Sequence, residues 1–250
     1  MQTQRNTNLR RWASRALLVG TIGALGLSTA ACEDPAKDVP KATVGSAKPV
    51  ASTAASPSAS PSAAAQQSAA PTAAPVAAAP TKPAGAIDIS NDGSKLEFVG
   101  SKVTAKHEGK FEKWSGWIAL DGDKPEGGKA YIEIDTSTVA TEDEKLNGHL
   151  KSADFFDIEK FPKATFVITE IKAGGDGGAT HTVSGNLTLH GVEKGISFPA
   201  TIKADASSVT AKAEFAINRK DFGIVYAGKA DNLIRDDVVI KLDIAAKRSK

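Results

Sequence analysis

Apolar and polar residues alternate strictly along several short stretches in the C-terminal part of this chain. In residues 209–217 one face of an extended strand would carry Val209, Ala211, Ala213, Phe215 and Ile217, with polar residues between them. Residues 238–244 repeat the pattern. Because the apolar face of such a strand must be buried, the alternation predicts a sheet that encloses a core.

Eight runs of strand-forming residues are separated by turns rich in Gly and Asp. They lie at residues 96–100, 116–120, 131–135, 165–171, 182–189, 196–202, 209–217 and 238–244. No helical pattern is long enough to cross over between parallel strands. We therefore predict an all-β fold, an eight-stranded antiparallel barrel. The interior of such a barrel is either filled by side chains or wide enough for one slender ligand.

One short helix is predicted just before the fourth strand. Leu146, His149 and Leu150 recur at helical spacing, and Thr141 with Glu144 matches a capping box. An aromatic corner then leads into the strand, with Phe155, Phe156, Phe161 and Phe166. Such rings are stabilised by packing on a large apolar surface. We expect the helix to plug the barrel.

The N-terminal part of the chain has a different composition. Residues 2–15 carry four arginines and no acid, and an apolar run follows at residues 16–27. This pattern is typical of a bacterial export signal, which we place at residues 1–31. The run is shorter than the roughly 20 residues that span a bilayer, so a permanent transmembrane helix is the weaker interpretation.

The only cysteine, Cys32, follows Leu27-Ser28-Thr29-Ala30-Ala31. This stretch resembles the lipobox of bacterial lipoproteins, in which the cysteine is acylated and becomes the mature N-terminus. The usual leucine position holds Thr29 here. The alternative is ordinary cleavage near Ala30, which leaves one unpaired thiol. We expect lipidation at Cys32 and an exported, membrane-anchored lipoprotein that faces the periplasm or the cell surface.

Residues 32–85 are almost wholly small or polar and contain no aromatic side chain. We expect a disordered Ala/Pro/Ser-rich linker there, because it can bury too little apolar surface to offset the entropy of ordering. Residues 86–250 form the predicted barrel domain, with 23 Lys and Arg against 26 Asp and Glu. Nucleic-acid binding requires a basic footprint, so no nucleic-acid partner is expected.

Several blocks of residues 86–244, taken in this order, resemble the YceI family. They are residues 109–116 (GKFEKWSG), 149–157 (HLKSADFFD), 161–162 (FP), 183–192 (VSGNLTLHGV), 217–224 (INRKDFGI) and 236–240 (DDVVI). The resemblance implies a lipocalin-like antiparallel barrel whose tunnel holds a long-chain lipid, such as a polyisoprenoid or a fatty acyl or amide lipid. The bound lipid would be a ligand, and no cofactor is expected.

A hydrocarbon chain needs only apolar walls, because each buried methylene contributes about 0.8 kcal/mol. The candidate wall residues are Trp117, Phe155, Phe156, Phe166, Leu187, Leu189, Phe198 and Phe215. Two alternatives stay open: these residues simply fill the interior, or the domain is a non-catalytic interaction or structural barrel displayed on a stalk. The second alternative predicts a filled core and an exposed apolar patch.

Candidates for the tunnel mouth and the lipid headgroup are His149, His190, Arg219 and Asp221. The simpler interpretation is structural: two ordinary histidines, and an ion pair between Arg219 and Asp221. The histidine spacing matches no zinc motif, and no G-x-S-x-G element is present, so neither a metal site nor an enzyme is predicted.

Overall fold

The computed structural model describes residues 33–50 and 79–248. The predicted signal peptide, Cys32 and the linker residues 51–78 lie outside the described residues. The strands are β1 (Thr43–Gly45), β2 (Ile87–Ser90), β3 (Lys95–Lys102), β4 (Ala105–Phe111), β5 (Trp114–Asp121), β6 (Lys124–Asp135), β7 (Val139–Thr141), β8 (Lys163–Ala173), β9 (His181–Leu189), β10 (Val192–Ala204), β11 (Ser208–Asn218), β12 (Gly228–Lys229), β13 (Asn232–Leu233) and β14 (Asp237–Lys247). Helix α1 spans Glu144–Lys151, and 3-10 helices span Thr136–Thr138, Asp176–Gly178 and Arg219–Phe222.

The strands form one curled sheet in the order β2-β5-β6-β8-β9-β10-β11-β14-β3-β4-β7, to which β1 adds beside β10, and β12 with β13 forms a separate hairpin. The prediction of an all-β, antiparallel sheet wrapped around an interior is confirmed. The predicted strand number is wrong: the sheet has twelve strands among the described residues. Each of the eight predicted runs lies within a longer strand, whereas β1, β2, β4 and β7 have no counterpart in the prediction.

The pairing of β11 with β14 shows why the alternating pattern produces an interior. Phe215 lies opposite Ile240, so the apolar faces of the two strands coincide. On the outer face Lys212 pairs with Asp243 at 2.9 Å. An exposed ion pair of this kind contributes little to stability, so the apolar face sets the register.

Helix α1 lies where the sequence predicts it, but its cap differs. Asp143 is the N-cap, and its carboxylate accepts hydrogen bonds from the backbone N–H groups of Lys145 and Leu146. Thr141 instead belongs to β7 and donates its hydroxyl to Asn147 at 2.7 Å. The predicted capping box is therefore wrong, because Asp143 satisfies the same backbone donors from a position closer to the helix. None of the helices among the described residues is long and apolar enough to cross a membrane.

The N-terminal segment (residues 33–50) is ordered against the sheet, whereas the sequence predicts a disordered linker there. β1 pairs with β10, and Ala36 is buried against Val99 and Val239 on the outer face of the sheet. Amino-acid composition does not predict the order of this segment, because backbone hydrogen bonds and small side chains hold it in place rather than large apolar groups.

Candidate functional site

The curled sheet encloses an apolar cavity of about 190 Å³. Its walls come from β3, β4, β6, β8, β9, β10, β11 and β14, and from the corner that follows α1. For comparison, an engineered apolar cavity of about 150 Å³ stays dry and binds benzene. The cavity is therefore large enough to receive part of a hydrocarbon chain.

The predicted wall residues lie at this cavity with one exception. Seven of the eight line it: Phe155, Phe156, Phe166, Leu187, Leu189, Phe198 and Phe215. Trp117 does not, and packs beside Tyr131 with ring centroids 6.4 Å apart, in a shallow surface depression. On β5 it is Trp114 that faces the interior, where it is buried in the core. Trp117 lies three residues later and therefore points to the opposite face of the strand.

Aromatic rings form much of the cavity wall on one side. The ring of Phe198 lies between Phe166, at 5.8 Å, and Phe215, at 3.9 Å between centroids. Phe166 also lies over Gly185, where a Cβ would come within 2.5 Å of the ring. A glycine on β9 thus makes room for the ring on β8, which the apolar pattern alone does not reveal.

The cavity lies toward one end of the barrel. Along β14 it is lined by Val238, Ile240 and Leu242, whereas Ile244 and Ala246 further along pack into the core. The interior at the second end is therefore filled by side chains. The cavity extends instead toward the beginning of β14 and the corner that follows α1.

That corner covers part of the cavity. Leu150 on α1 and the following Phe155 and Phe156 all line it. Phe156 meets Phe111 edge to face at 5.6 Å, and Phe155 lies 5.5 Å from Tyr226. The geometry matches the expectation that the helix and its aromatic corner plug the barrel.

Neither candidate histidine is among the residues that line the cavity, although the ring of His149 lies 4.9 Å from that of the lining residue Phe155. His149 has a side chain that is 38% exposed, and its Nε2 lies 2.9 Å from a carboxylate oxygen of Asp154. His190 packs edge-on against Phe161, and its Nδ1 lies 3.3 Å from the carbonyl oxygen of Phe222. The headgroup role of the two histidines therefore stays a prediction.

Arg219 lines the cavity and is almost fully buried. Its guanidinium donates to the carbonyl groups of Ile224, at 2.7 Å, and Arg235, at 3.1 Å. Its ion-pair partner is Asp236, at 3.2 Å. The predicted pair with Asp221 is therefore wrong. Among residues 33–50 and 79–248, Asp221 is not one of those that line the cavity. Burial lowers the pKa of Arg219, and the nearby Asp236 carboxylate opposes that shift.

The N-terminal segment completes the wall between β10 and β11. These strands pair with each other only over Thr201–Ala204 of β10, and they separate further along, where Phe198 and Phe215 lie. Residues 40–45 fill the gap. Ala216 on β11 exchanges backbone hydrogen bonds with Pro40 and Ala42, each at 2.9 Å, while Thr43–Gly45 pairs with β10.

Two β-strand residues that the sequence analysis does not single out hold this segment. The side-chain amide of Asn186, a buried residue, accepts from the Lys48 N–H at 2.9 Å and donates to the Lys48 carbonyl at 2.7 Å. Gly195 allows close approach, since a Cβ there would lie 2.5 Å from the Ser46 carbonyl oxygen. A buried asparagine in a strand is the one signal that could have indicated a partner.

Within residues 33–50 and 79–248, no group of three or more His, Cys, Asp or Glu side chains is arranged to hold a metal ion. The cavity lining there is apolar apart from Ser101, Arg219 and Arg235. This arrangement offers hydrocarbon-binding walls with a few polar groups at one end.

The chain matches the family model described as the YceI-like domain over residues 88–246. Among curated proteins, it is 34% identical over 139 residues to the UPF0312 protein of Pseudomonas syringae pv. tomato, covering 53% of this chain and 71% of that one. It is 32% identical over 139 residues to the UPF0312 protein of Pseudomonas putida strain F1, with the same coverage. The N-terminal segment precedes the residues that match the family model.

Two solved structures share the fold. Burkholderia cenocepacia BcnA superposes with a TM-score of 0.55 at 28% identity, covering 62% of this chain and 97% of that protein. A domain from Saccharophagus degradans, described as polyisoprenoid-binding and implicated in plant cell wall breakdown, superposes with a TM-score of 0.52 at 20% identity, covering 66% of this chain and 99% of that domain. The second likeness concerns the fold alone.

Proposed function

This chain belongs to the YceI-like family, and from that premise we propose that it binds a long-chain lipid, a polyisoprenoid or a fatty acyl or amide lipid, in the cavity of its curled sheet. The observation that carries the proposal is the cavity itself: about 190 Å³ of space within walls made almost entirely of apolar side chains. A filled core would leave no such space.

The energetics suit a hydrocarbon ligand. Ten methylene groups transferred from water to an apolar wall contribute about 8 kcal/mol before the costs of association are subtracted. Phe166, Phe198 and Phe215 present rings to that space. No directional chemistry is needed to hold an alkyl or isoprenoid chain, so the proposed role is binding without catalysis.

The cellular role in the proposal comes from the sequence. An export signal and an acylated Cys32 would place the protein on a membrane, facing the periplasm or the cell surface, where it carries or sequesters lipid. The docked N-terminal segment changes the expected geometry, because Ala36 already packs on the sheet a few residues after Cys32, and β1 pairs with β10 further along. In the chain, residues 51–78 follow β1 and precede β2.

The second candidate is a non-catalytic interaction barrel. Three large apolar side chains, those of Val103, Val225 and Leu233, are exposed among the described residues, and this alternative predicts such a surface. It also predicts a filled interior. The cavity therefore favours lipid binding as the first proposal.

Native mass spectrometry of the purified chain, followed by solvent extraction, tests the proposal. We expect a bound species of defined mass that carries a long hydrocarbon chain. As a second arm, the stripped protein is incubated with undecaprenol, oleamide and oleic acid. A protein that is bare as purified and binds none of these would overturn the proposal in favour of the interaction barrel.

A further inference from the structure

The exposed large apolar side chains of the described residues lie together. Val103, Val225 and Leu233 are 52%, 65% and 49% exposed. The N–H of Val103 donates to the carbonyl of Leu233 at 3.1 Å, and Ala227, two residues after Val225, accepts from Ile234 at 3.0 Å. Single exposed aliphatic residues are ordinary, but these three sit on segments that touch. We call them the apolar rim.

The apolar rim lies at the end of the barrel toward which the cavity extends. Val225 directly follows Ile224 and Leu233 directly precedes Ile234, and both isoleucines line the cavity. Val103 follows the cavity-lining Ser101 by two residues. The apolar rim thus adjoins in sequence the residues that line the cavity at this end, among which Ser101, Arg219 and Arg235 are polar, whereas the other end of the interior is filled by core side chains.

The N-terminal segment begins at the same end. Asp34 accepts a hydrogen bond from Arg235 at 3.0 Å, and Arg235 lines the cavity next to Ile234. Cys32 precedes Asp34 by two residues, which is at most about 7 Å of chain. An acyl group on Cys32 would therefore enter a membrane close to the apolar rim.

We propose that the apolar rim is a docking surface for a lipid bilayer, which holds this end of the barrel against the membrane so that lipid moves between bilayer and cavity. The inference rests on the proposed function, since it assigns the route by which the proposed ligand arrives. A long hydrocarbon chain is costly to expose to water, and a cavity end that is held against the bilayer avoids that exposure.

A bilayer fits this surface better than a folded protein does. Three aliphatic side chains on hairpins and loops form a small patch, whereas a stable protein interface buries at least about 1,000 Å². Lys102 and Lys229 lie on the same segments, with Asp231 between β12 and β13. Lysines with long apolar stems commonly flank side chains that enter the membrane interface.

Site-specific fluorescence tests the docking directly. The chain from residue 33 onward contains every strand that the structure describes, and it lacks the only native cysteine. A polarity-sensitive NBD label is placed on Val225→Cys, and on Ala206→Cys as the control. Ala206 is exposed in the turn between β10 and β11, next to the filled end of the interior.

With vesicles of phosphatidylethanolamine and phosphatidylglycerol, we expect the NBD emission at position 225 to shift to the blue and to resist aqueous quenchers, and the emission at position 206 to stay unchanged. No shift at position 225, or equal shifts at both positions, would overturn the inference. The measurement needs no ligand in the cavity, so it is separate from the test of the proposed function.

A transfer assay then links docking to ligand uptake. The chains carrying Val225→Asp and Ala206→Asp each add one negative charge, and both are compared with the wild type for uptake of cis-parinaric acid from the same vesicles. We expect Val225→Asp to slow uptake roughly fivefold, equivalent to about 1 kcal/mol, and Ala206→Asp to leave it unchanged. Equilibrium binding of the free fatty acid should be equal in all three chains.

The two proposals fail in different ways. If the wild type does not bind free cis-parinaric acid or any other long-chain lipid, the proposed function is overturned, and with it the assigned route. If all three chains bind the free fatty acid and take it up from vesicles at the same rate, the cavity is a lipid site but the apolar rim is not its docking surface.

Discussion

The rings of Phe198 and Phe215 stack nearly parallel, with centroids 3.9 Å apart and planes at 11°. They belong to β10 and β11 at the point where these strands have separated and residues 40–45 lie between them. The stack therefore bridges, from inside, the gap that the N-terminal segment closes with backbone hydrogen bonds. Ala42 and Val44 pack against the same core cluster.

Replacing Phe198 with alanine should destabilise the protein and change its ligand binding together. The ring is 2% exposed, and removing such a ring costs about 3–5 kcal/mol of unfolding free energy. It also removes one wall of the cavity, so the ligand loses contacts. Urea unfolding gives the first effect, and the amount of lipid that copurifies gives the second.

Trp117→Ala is the matched control for that variant. Trp117 is also buried, at 7% exposed, but it lies outside the cavity lining. It should lower stability by a similar amount while bound lipid per folded molecule stays at the wild-type level. Equal lipid loss in both variants would mean that the change reports general loosening of the fold.

Leu189→Arg should abolish lipid retention. Leu189 lines the cavity and packs against three separate core clusters, so it lies where they meet. A guanidinium there occupies space and places an unpaired charge among apolar groups. We expect bound lipid to fall at least about tenfold, equivalent to about 1.4 kcal/mol, as measured by extraction and mass spectrometry.

Leu189→Met keeps the volume and the apolar character of that side chain, so it should keep the lipid. Ala206→Arg, in the exposed turn between β10 and β11, adds the same positive charge away from the cavity and should also keep the lipid. If Leu189→Arg folds and carries the normal amount of lipid, Leu189 is not part of the binding wall.

The strands with clean alternation are the ones that the sequence predicts well. Residues 209–217 and 238–244 fall inside β11 and β14, because each carries an unbroken apolar face and mostly polar residues on the other face, where Ala36 covers Ala216 and Val239. β4 shows the opposite case. It places Gly109 opposite Phe98, whose ring covers the glycine, so the apolar group that fills this part of the interior is supplied by the neighbouring strand.

The candidate site follows the same logic. The wall positions on β8 to β11 could be predicted, because the alternation of apolar and polar residues shows which side chains face the interior. On β5 both faces carry a tryptophan, so the pattern does not show that Trp117 faces outward. The partner of Arg219 could not be predicted, since Asp236 is 17 residues away and approaches only when β14 pairs with β11. The docking of residues 33–50 could not be predicted from composition, because it depends on backbone hydrogen bonds, which every residue type except proline can donate.

Gly191→Ala should lower stability through two separate effects. The residue has a φ of +73°, which costs a residue with a Cβ about 1–3 kcal/mol. A Cβ there would also overlap the ring of Phe161. We expect a lower urea midpoint, with a displaced Phe161 ring that changes the environment of His190, readable from the imidazole resonances in NMR spectra.

Gly93→Ala separates the two effects. Gly93 has a φ of +88° but has open space around the Cβ position. It should show the backbone cost alone, without a change at His190. If the two variants lose the same stability, the contact between Gly191 and Phe161 adds nothing to the fold.

Asn186→Ala should release the N-terminal segment while the rest of the sheet stays folded. The two hydrogen bonds from the Asn186 amide to Lys48 are lost, and each such bond is worth about 0.5–1.5 kcal/mol. The pairing of residues 43–45 with β10 then loses its neighbouring anchor. We expect amide exchange of residues 40–48 to accelerate, by roughly fivefold or more, with little change in the exchange of β14.

The same variant connects the segment to ligand binding, because residues 40–45 close the cavity wall between Phe198 and Phe215. A loosened wall should let bound lipid leave faster, so the dissociation rate of cis-parinaric acid should rise with the exchange rate of residues 40–48. Asn91→Ala, in the exposed turn between β2 and β3, should change neither. Faster exchange of the segment with an unchanged dissociation rate would show that it covers the gap without retaining the ligand.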